Sequence, residues 1–219
     1  MVKEKGFLPQ DAEQRDQSWL DTYGMVQTIM ADFPEFLPNT YDQYYLYPDY
    51  KVSHLDPNFT RADEVMAGRE KRVFTECAEV IKEGKLGDKF HAISDAHAEM
   101  MIKVAEAIAY NKNDRHILIV ENNGAIANMQ DDAMVEVVCE LGINGPRPMR
   151  VGNIPQFNLG LLVNQVSCEK LIVDAYFENS YQKALEAFTL NRLINDAKKA
   201  RKVLDALIEA NKGMWPELR

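Results

Sequence analysis

At 219 residues, with 46% hydrophobic and 27% charged side chains, the chain has the composition of an ordinary soluble globular protein with enough length for a substantial core. Its net charge of −9 argues against nucleic acid as a partner, because phosphate backbones call for clustered Lys and Arg, although one or two placed arginines suffice for a small anion. No apolar run approaches the roughly 20 residues of a membrane span. Residues Met1 to Gly6 lack the apolar centre of a secretory signal, so no membrane is expected and the cytoplasm is the default location.

Residues 11–33 read as a helix, with Trp19, Tyr23, Val26 and Met30 at spacings of three and four, ended by Pro34 and Pro38. The stretch Leu37-Pro38-Asn39-Thr40-Tyr41 follows. Tyr41, Tyr44, Tyr45, Tyr47 and Tyr50 then place five of the nine tyrosines within ten residues. Their spacing predicts one or two helical turns, broken before Tyr50 because Pro48 intervenes. A longer helix over 60–83 carries Met66, Val73, Cys77 and Val80 on one stripe with Lys and Glu opposite. Thr60 with Asp63 three residues on is a capping-box-like start, and Asp56-Pro57 offers an opening one turn earlier. Gly84 and Gly87 end this helix and a loop runs to Ala92. Ser94 or Asp95 then caps a helix to Tyr110, with Met101, Ala105 and Ile108 inward.

The pattern changes at His116. Ile117-Leu118-Ile119-Val120 reads as a short buried strand, Asn122-Asn123-Gly124 as turn chemistry and Met134 to Cys139 as a second strand. Met149-Arg150-Val151 is a candidate third, with Gly142 to Pro148 as the link before it. After Pro155 the chain returns to helices at about 157–178, 180–190 and 196–211. The first is apolar on several sides through Leu161, Leu162, Val166, Leu171 and Val173, and is expected to be central. Helix dominates around a small central sheet, an α+β arrangement and not an alternating βαβ series.

The three cysteines, Cys77, Cys139 and Cys168, are widely spaced and form no C-x-x-C pair, so they read as buried thiols and not as a disulfide framework or zinc site. His54, His91, His97 and His116 are scattered without a partner at ligand spacing, and His97 reads as structural. There is no glycine-rich nucleotide turn, no H-E-x-x-H and no G-x-S-x-G elbow. What remains is the tyrosine cluster and the arginine behind it. A phenol has a pKa of about 10, so it serves as a base at neutral pH only beside a positive charge such as a metal, an arginine or a cationic cofactor. Arg61 at a helix start suits an anion, its guanidinium fork joined by free backbone N–H groups and the helix dipole. An ordinary alternative stands beside both: tyrosines at a core edge with their hydroxyls in water, and Arg61 paired with Asp63 or Glu64 on the surface.

Several segments occur in order along nearly the whole chain: Leu37-Pro38-Asn39-Thr40-Tyr41 with Gln43-Tyr44-Tyr45-Leu46, Thr60-Arg61-Ala62 with Glu64-Val65-Met66, and Ile119 through Asn128. Ala133 through Val137, Gly152 through Phe157, Glu169-Lys170-Leu171 and Leu207 through Lys212 complete the set. Together they resemble the C-terminal half of glycoside hydrolase family 4, most closely its 6-phospho-α-glucosidases (maltose-6′-phosphate glucosidases).

The resemblance implies an α+β fold like the C-terminal domain of lactate and malate dehydrogenases, and an NAD-dependent exception to two-carboxylate glycoside hydrolysis. In that family NAD⁺ takes hydride from C3 of a 6-phosphosugar, and a divalent metal, usually Mn²⁺, polarises the ketone. A tyrosine takes the acidified C2 proton, the glycosidic oxygen leaves, water adds and the ketone is reduced again. Tyr41 matches the family's tyrosine base and Arg61 a substrate-binding arginine.

The family's NAD turn and its metal-binding cysteine and histidine lie in an N-terminal half. Residues 1–219 are therefore expected to be a substrate-side domain that lacks the NAD-binding domain, holds no assigned cofactor or metal ligand, and is inactive alone. The implied partner is a phosphorylated disaccharide such as maltose 6′-phosphate, and the implied full-length protein is a homo-oligomer, dimer or tetramer. Two readings stay open beside this one. One is an isolated fragment that is not an enzyme. The other is a 6-phospho-β-glucosidase, since elimination after C3 oxidation tolerates either anomer. Val138, where relatives usually have proline before Cys139, and the lack of a proline between Asn191 and Asp196 are departures not expected to touch the chemistry.

Overall fold

The computed structural model describes residues 17–85 and 96–219. In chain order its elements are α1 (Gln17–Asp32), α2 (Asp42–Leu46), α3 (Pro48–Ser53), α4 (Arg61–Glu83), α5 (Ala96–Ala109), β1 (Asp114–Glu121), β2 (Met134–Gly142), β3 (Gly145–Pro148), α6 (Gln156–Glu178), α7 (Tyr181–Leu190) and α8 (Ala197–Ala210). The arrangement is α+β, helix-rich with one small antiparallel sheet. Two compact units divide the chain: residues 1–58 with 188–216, and residues 59–187 with 217–219. Among the described residues no helix is long and apolar enough to cross a membrane.

The first unit is helical. Tyr23, Met25, Val26 and Ile29 of α1 are buried, as are Ala200 and Leu204 of α8. The buried stripe of α1 is thus shifted from the expected one, with Met25 and Ile29 inside and Met30 only half-buried. Residues 11–16 and the side chain of Trp19 lie outside the described residues. Pro48 does not end the tyrosine segment as expected. It opens α3 as the first helical residue, where its missing N–H costs nothing, and Tyr50 is helical in consequence. The break falls at Tyr47, whose φ of −130° and ψ of 53° leave the helical region between α2 and α3.

The second unit is built on the sheet, in the order β1-β2-β3 with both pairings antiparallel. Val135, Val137, Cys139 and Leu141 of β2 alternate inward, and Leu118 and Val120 of β1 pack against the same core with Ala125, Ile126, Met129, Ala133 and Val166. β1 is not the buried strand expected from its four consecutive aliphatics. It alternates, and Ile117 and Ile119 face outward beside Val138 and Glu136. The third strand also differs from expectation. It is Gly145–Pro148 and not Met149 to Val151, because the segment read as a link is itself a hairpin pairing Gly142 with Gly145. Pro146 and Pro148 are tolerated there because β3 is an edge strand. A Cβ at Gly142 would come within 2.7 Å of Asn111 Oδ1 and Asn113 Oδ1, so a side chain there would make those two amides move.

The helices after Pro155 fall where expected, but α6 is not central. Only Val166, Cys168 and Ala175 are buried, while Val173, Tyr176 and Phe177 are exposed. A helix apolar on several sides needs cover along its length, and most of the residues of α6 are left half-buried or exposed. Gly84 ends α4 with a left-handed φ of 69°. Gly87, His91, the Ser94 or Asp95 cap and the side chain of His97 lie outside the described residues.

Candidate functional site

Tyr41 stands at the N-cap of α2, with its ring 68% exposed. Among the described residues its ring neighbour is Tyr44, whose centroid lies 6.2 Å away at a 31° tilt. Its position is therefore set by the backbone, and that backbone is tied by neighbouring side chains. The Tyr41 N–H donates to Asn39 Oδ1 at 2.9 Å, and the Asn39 N–H donates to Asp42 Oδ2 at 2.7 Å. Gln43 Nε2 donates to the Thr40 carbonyl at 2.7 Å. Partial burial raises the Asp42 carboxyl above the usual aspartate range, and the Asn39 N–H pulls it back in part. Asn39 followed by an acid three residues on has the same logic as the Thr60–Asp63 box. That spacing was available in the sequence as a sign of a rigid turn.

The neighbouring tyrosines make contacts of their own. The Tyr47 hydroxyl donates to Asp32 Oδ2 at the end of α1. Burial, then the Asp32 hydrogen bond and its charge, push the Tyr47 pKa up to about 12, so Tyr47 is the wrong group to accept a proton near neutrality. Lys51 Nζ sits over the Tyr44 ring, 5.3 Å from its centroid. Tyr50 stacks on His54 at 4.0 Å. The Tyr45 carbonyl accepts from Arg192 Nε at 2.7 Å, tying α2 to the segment after α7. Within the cluster, Tyr41 is the most exposed ring among the tyrosines singled out.

The Tyr47–Asp32 pair carries a testable pH dependence. Because the folded pKa lies above that of the unfolded chain, the unfolded state ionises first as pH rises. Stability from the pair is complete below pH ~10 and is lost as pH climbs toward 12. Urea midpoints followed by fluorescence of Trp19 and Trp215, which both belong to the first unit, are expected to fall more steeply over that window in the parent protein than in Tyr47→Phe. Parallel slopes in the two proteins would count against the pair.

Arg61 is the first residue of α4, in the second unit, so it and Tyr41 are each described in their own surroundings. The capping box forms at Thr60 and not at Asp56-Pro57. Thr60 accepts from the Asp63 N–H, and the Asp63 carboxylate accepts from the Thr60 N–H at 2.8 Å. The Thr60 hydroxyl, which donates to the same carboxylate at 2.7 Å, and then the Thr60 N–H hold the Asp63 carboxyl below its usual range. Arg61 Nη1 pairs with Glu64 Oε2 at 2.5 Å, both side chains well exposed. The helix start is thus less open to an anion than the sequence suggested, since Asp63 and Glu64 already answer its dipole. An exposed pair of this kind is worth at most about 1 kcal/mol, so an anionic ligand can displace Glu64 at little cost.

The segment Glu121 to Asn128 turns out to be an internal scaffold. Asn122 is fully buried. Its Nδ2 lies 3.0 Å, 3.2 Å and 3.1 Å from the carbonyls of Ile126, Met129 and Gln130, and its Oδ1 accepts from the Ile126 N–H at 2.7 Å. Asn128 clasps Ile154 from both sides, donating to its carbonyl and accepting from its N–H, each at 3.0 Å. With Ala127 N–H to Gly152 O and Val151 N–H to Ala125 O, these bonds join the loop after β1 to the loop before α6. Composition marks this stretch as a turn; the role of Asn122 depends on how its own loop closes over it, and that of Asn128 on contacts with the later loop.

Cys139 and Cys168 are buried, and burial raises both thiols. Among the described residues no three His, Cys, Asp or Glu side chains gather as a metal ion requires. The described residues do not fit Mn²⁺, and the sequence holds no glycine-rich turn for NAD.

Residues 3–194 match the family model for the family 4 glycosyl hydrolase C-terminal domain. The chain belongs to family 4. Family 4 relatives are also close in sequence and shape. A 6-phospho-alpha-glucosidase from gut microorganisms, solved in complex with NAD and Mn²⁺, is 82% identical with a TM-score of 0.91, over 100% of this chain and 50% of that one. A second gut 6-phospho-alpha-glucosidase, solved with NAD and glucose-6-phosphate, is 44% identical with a TM-score of 0.90 over the same shares. The maltose-6′-phosphate glucosidase of Clostridium acetobutylicum is 48% identical over 99% of this chain and 49% of its own length. The chain spans about half the length of these family 4 relatives.

Proposed function

We propose that the chain is the C-terminal, substrate-side domain of a 6-phospho-α-glucosidase that hydrolyses 6-phospho-α-glucosides such as maltose 6′-phosphate. The observation that carries this reading is the 82% identity, over the full chain, to a 6-phospho-alpha-glucosidase. The α anomer is favoured over the β because that relative and the two others compared are α-glucosidases or maltose-6′-phosphate glucosidases. Tyr41 is the group that takes the C2 proton. Its exposure, and the commitment of Tyr47 to Asp32, support that assignment. Arg61 binds the substrate as a guanidinium released from Glu64. NAD and Mn²⁺ are bound by residues of an N-terminal half, and the hydride chemistry belongs there. A phosphorylated sugar does not cross a bilayer unaided, which favours a cytoplasmic site of action, and the full-length protein is a homo-oligomer.

The test joins this chain to the N-terminal half of the 82% identical relative and supplies NAD⁺ and Mn²⁺. The joined protein is expected to hydrolyse p-nitrophenyl 6-phospho-α-glucoside and not its unphosphorylated or β counterparts, while the 219-residue chain alone shows no turnover. Arg61→Ala is expected to raise KM by about 10- to 100-fold, the worth of a charged hydrogen bond, with a smaller change in kcat. Preference for the β-glucoside, or activity of the chain alone, would overturn the reading.

A further inference from the structure

We propose that Gln43 is a positioning residue for Tyr41, its buried side chain holding the turn that presents the phenol. The proposal rests on the reading of Tyr41 as the base.

Among the described residues three bonds between a side chain and the backbone tie the turn from Asn39 to Asp42, and they are not equivalent. Those made by Asn39 and Asp42 are exposed, where water can replace them. The third comes from Gln43, which is 2% exposed, the most buried of the polar side chains in this segment. Its Nε2 donates to the Thr40 carbonyl at 2.7 Å, one peptide before Tyr41, and lies 3.5 Å from Thr22 Oγ1 on α1. The turn is therefore fastened to the buried side of α1, which carries the core of the first unit. The orientation of the amide follows from the same contact, since a flipped amide would set its oxygen against the Thr40 carbonyl.

The other end of Gln43 makes the case sharper. Among the described residues its Oε1 is buried with no hydrogen-bond partner. An unpaired buried carbonyl oxygen is costly, and an apolar side chain of the same length would avoid that cost while filling the same space. Packing between α1 and α2 thus favours methionine or leucine at this place. What only the amide supplies is the donor to Thr40. Because the Tyr41 ring is largely exposed, loss of that donor lets the phenol drift, and a base displaced by about 1 Å can lose about 100-fold in rate.

The experiment uses the joined protein with p-nitrophenyl 6-phospho-α-glucoside, protonated or deuterated at C2. Gln43→Met is expected to lower kcat by about 10- to 100-fold with KM within about twofold, and to enlarge the C2 deuterium isotope effect because proton abstraction becomes slower. In a Tyr41→Phe background the same substitution is expected to change kcat by less than about twofold, since its effect passes through the missing hydroxyl. Should Gln43→Met fail to fold, Gln43→Asn, whose amide falls one methylene short, serves with the same expectations. An unchanged kcat in either variant, or a full additional loss in the Tyr41→Phe background, would overturn the proposal while leaving the role of Tyr41 intact. An unaffected Tyr41→Phe enzyme would instead remove the reading beneath it, and the proposal with it.

Discussion

Tyr41→Phe in the joined protein is expected to lower kcat by about 100- to 10,000-fold, the range for loss of a positioned general base, with KM changed little. The phenol ring is retained, so the tilted contact with Tyr44 and the backbone bonds to Asn39 survive the substitution. Only the hydroxyl is removed. Tyr47→Phe is the matched control. Its hydroxyl serves Asp32, and its loss is expected to leave kcat within a few-fold of the parent. The measurement is initial rate against p-nitrophenyl 6-phospho-α-glucoside with NAD⁺ and Mn²⁺ present. A Tyr41→Phe enzyme with parental turnover would sink the assignment of the base. Loss in both variants would show that the cluster acts as a unit and not through one residue.

Asn122→Ala is expected to be the most destabilising single change in the second unit, by about 3 kcal/mol or more. It leaves buried carbonyls and the Ile126 N–H without their partner, and each unpaired buried group costs about 1–3 kcal/mol. Asn122→Asp keeps the shape but replaces a donor facing three carbonyls with an acceptor, so it is expected to be no better. Urea unfolding followed by far-ultraviolet circular dichroism reads this out. Tryptophan fluorescence does not, because Trp19 and Trp215 both belong to the first unit. A midpoint shift equivalent to less than about 1 kcal/mol would mean that water replaces Asn122 in the loop.

Much of the architecture was legible because it rests on short-range chemistry. The Thr60–Asp63 box, Gly84 at the end of α4, the Asn122-Asn123-Gly124 turn and the three helices after Pro155 are each settled by a few neighbouring residues. The errors share a cause. Pro48 was read as a stop when its position at the first turn of a new helix made it a start. The prolines of β3 were read as a link, although an edge strand accepts them. Ile117 and Ile119 belong to a run of four aliphatics that reads as buried, yet both are exposed.

The sequence by itself determined the ends of α4 and of the helices after Pro155, the α+β class, the family resemblance and the choice of Tyr41 and Arg61 as candidate residues. The helix ends and the class follow from residue type at fixed spacing, which acts over a turn or two of chain, while the two candidate residues follow from the family resemblance. Tertiary structure decided which groups are left available. Tyr47 is committed to Asp32, 15 residues away, and Asn128 is spent on Ile154, 26 residues away. Gln43 is buried against α1 with its donor on Thr40. A hydrogen bond fixes the role of a polar side chain only once its partner is known. Those partners come from distant segments that no local spacing can report.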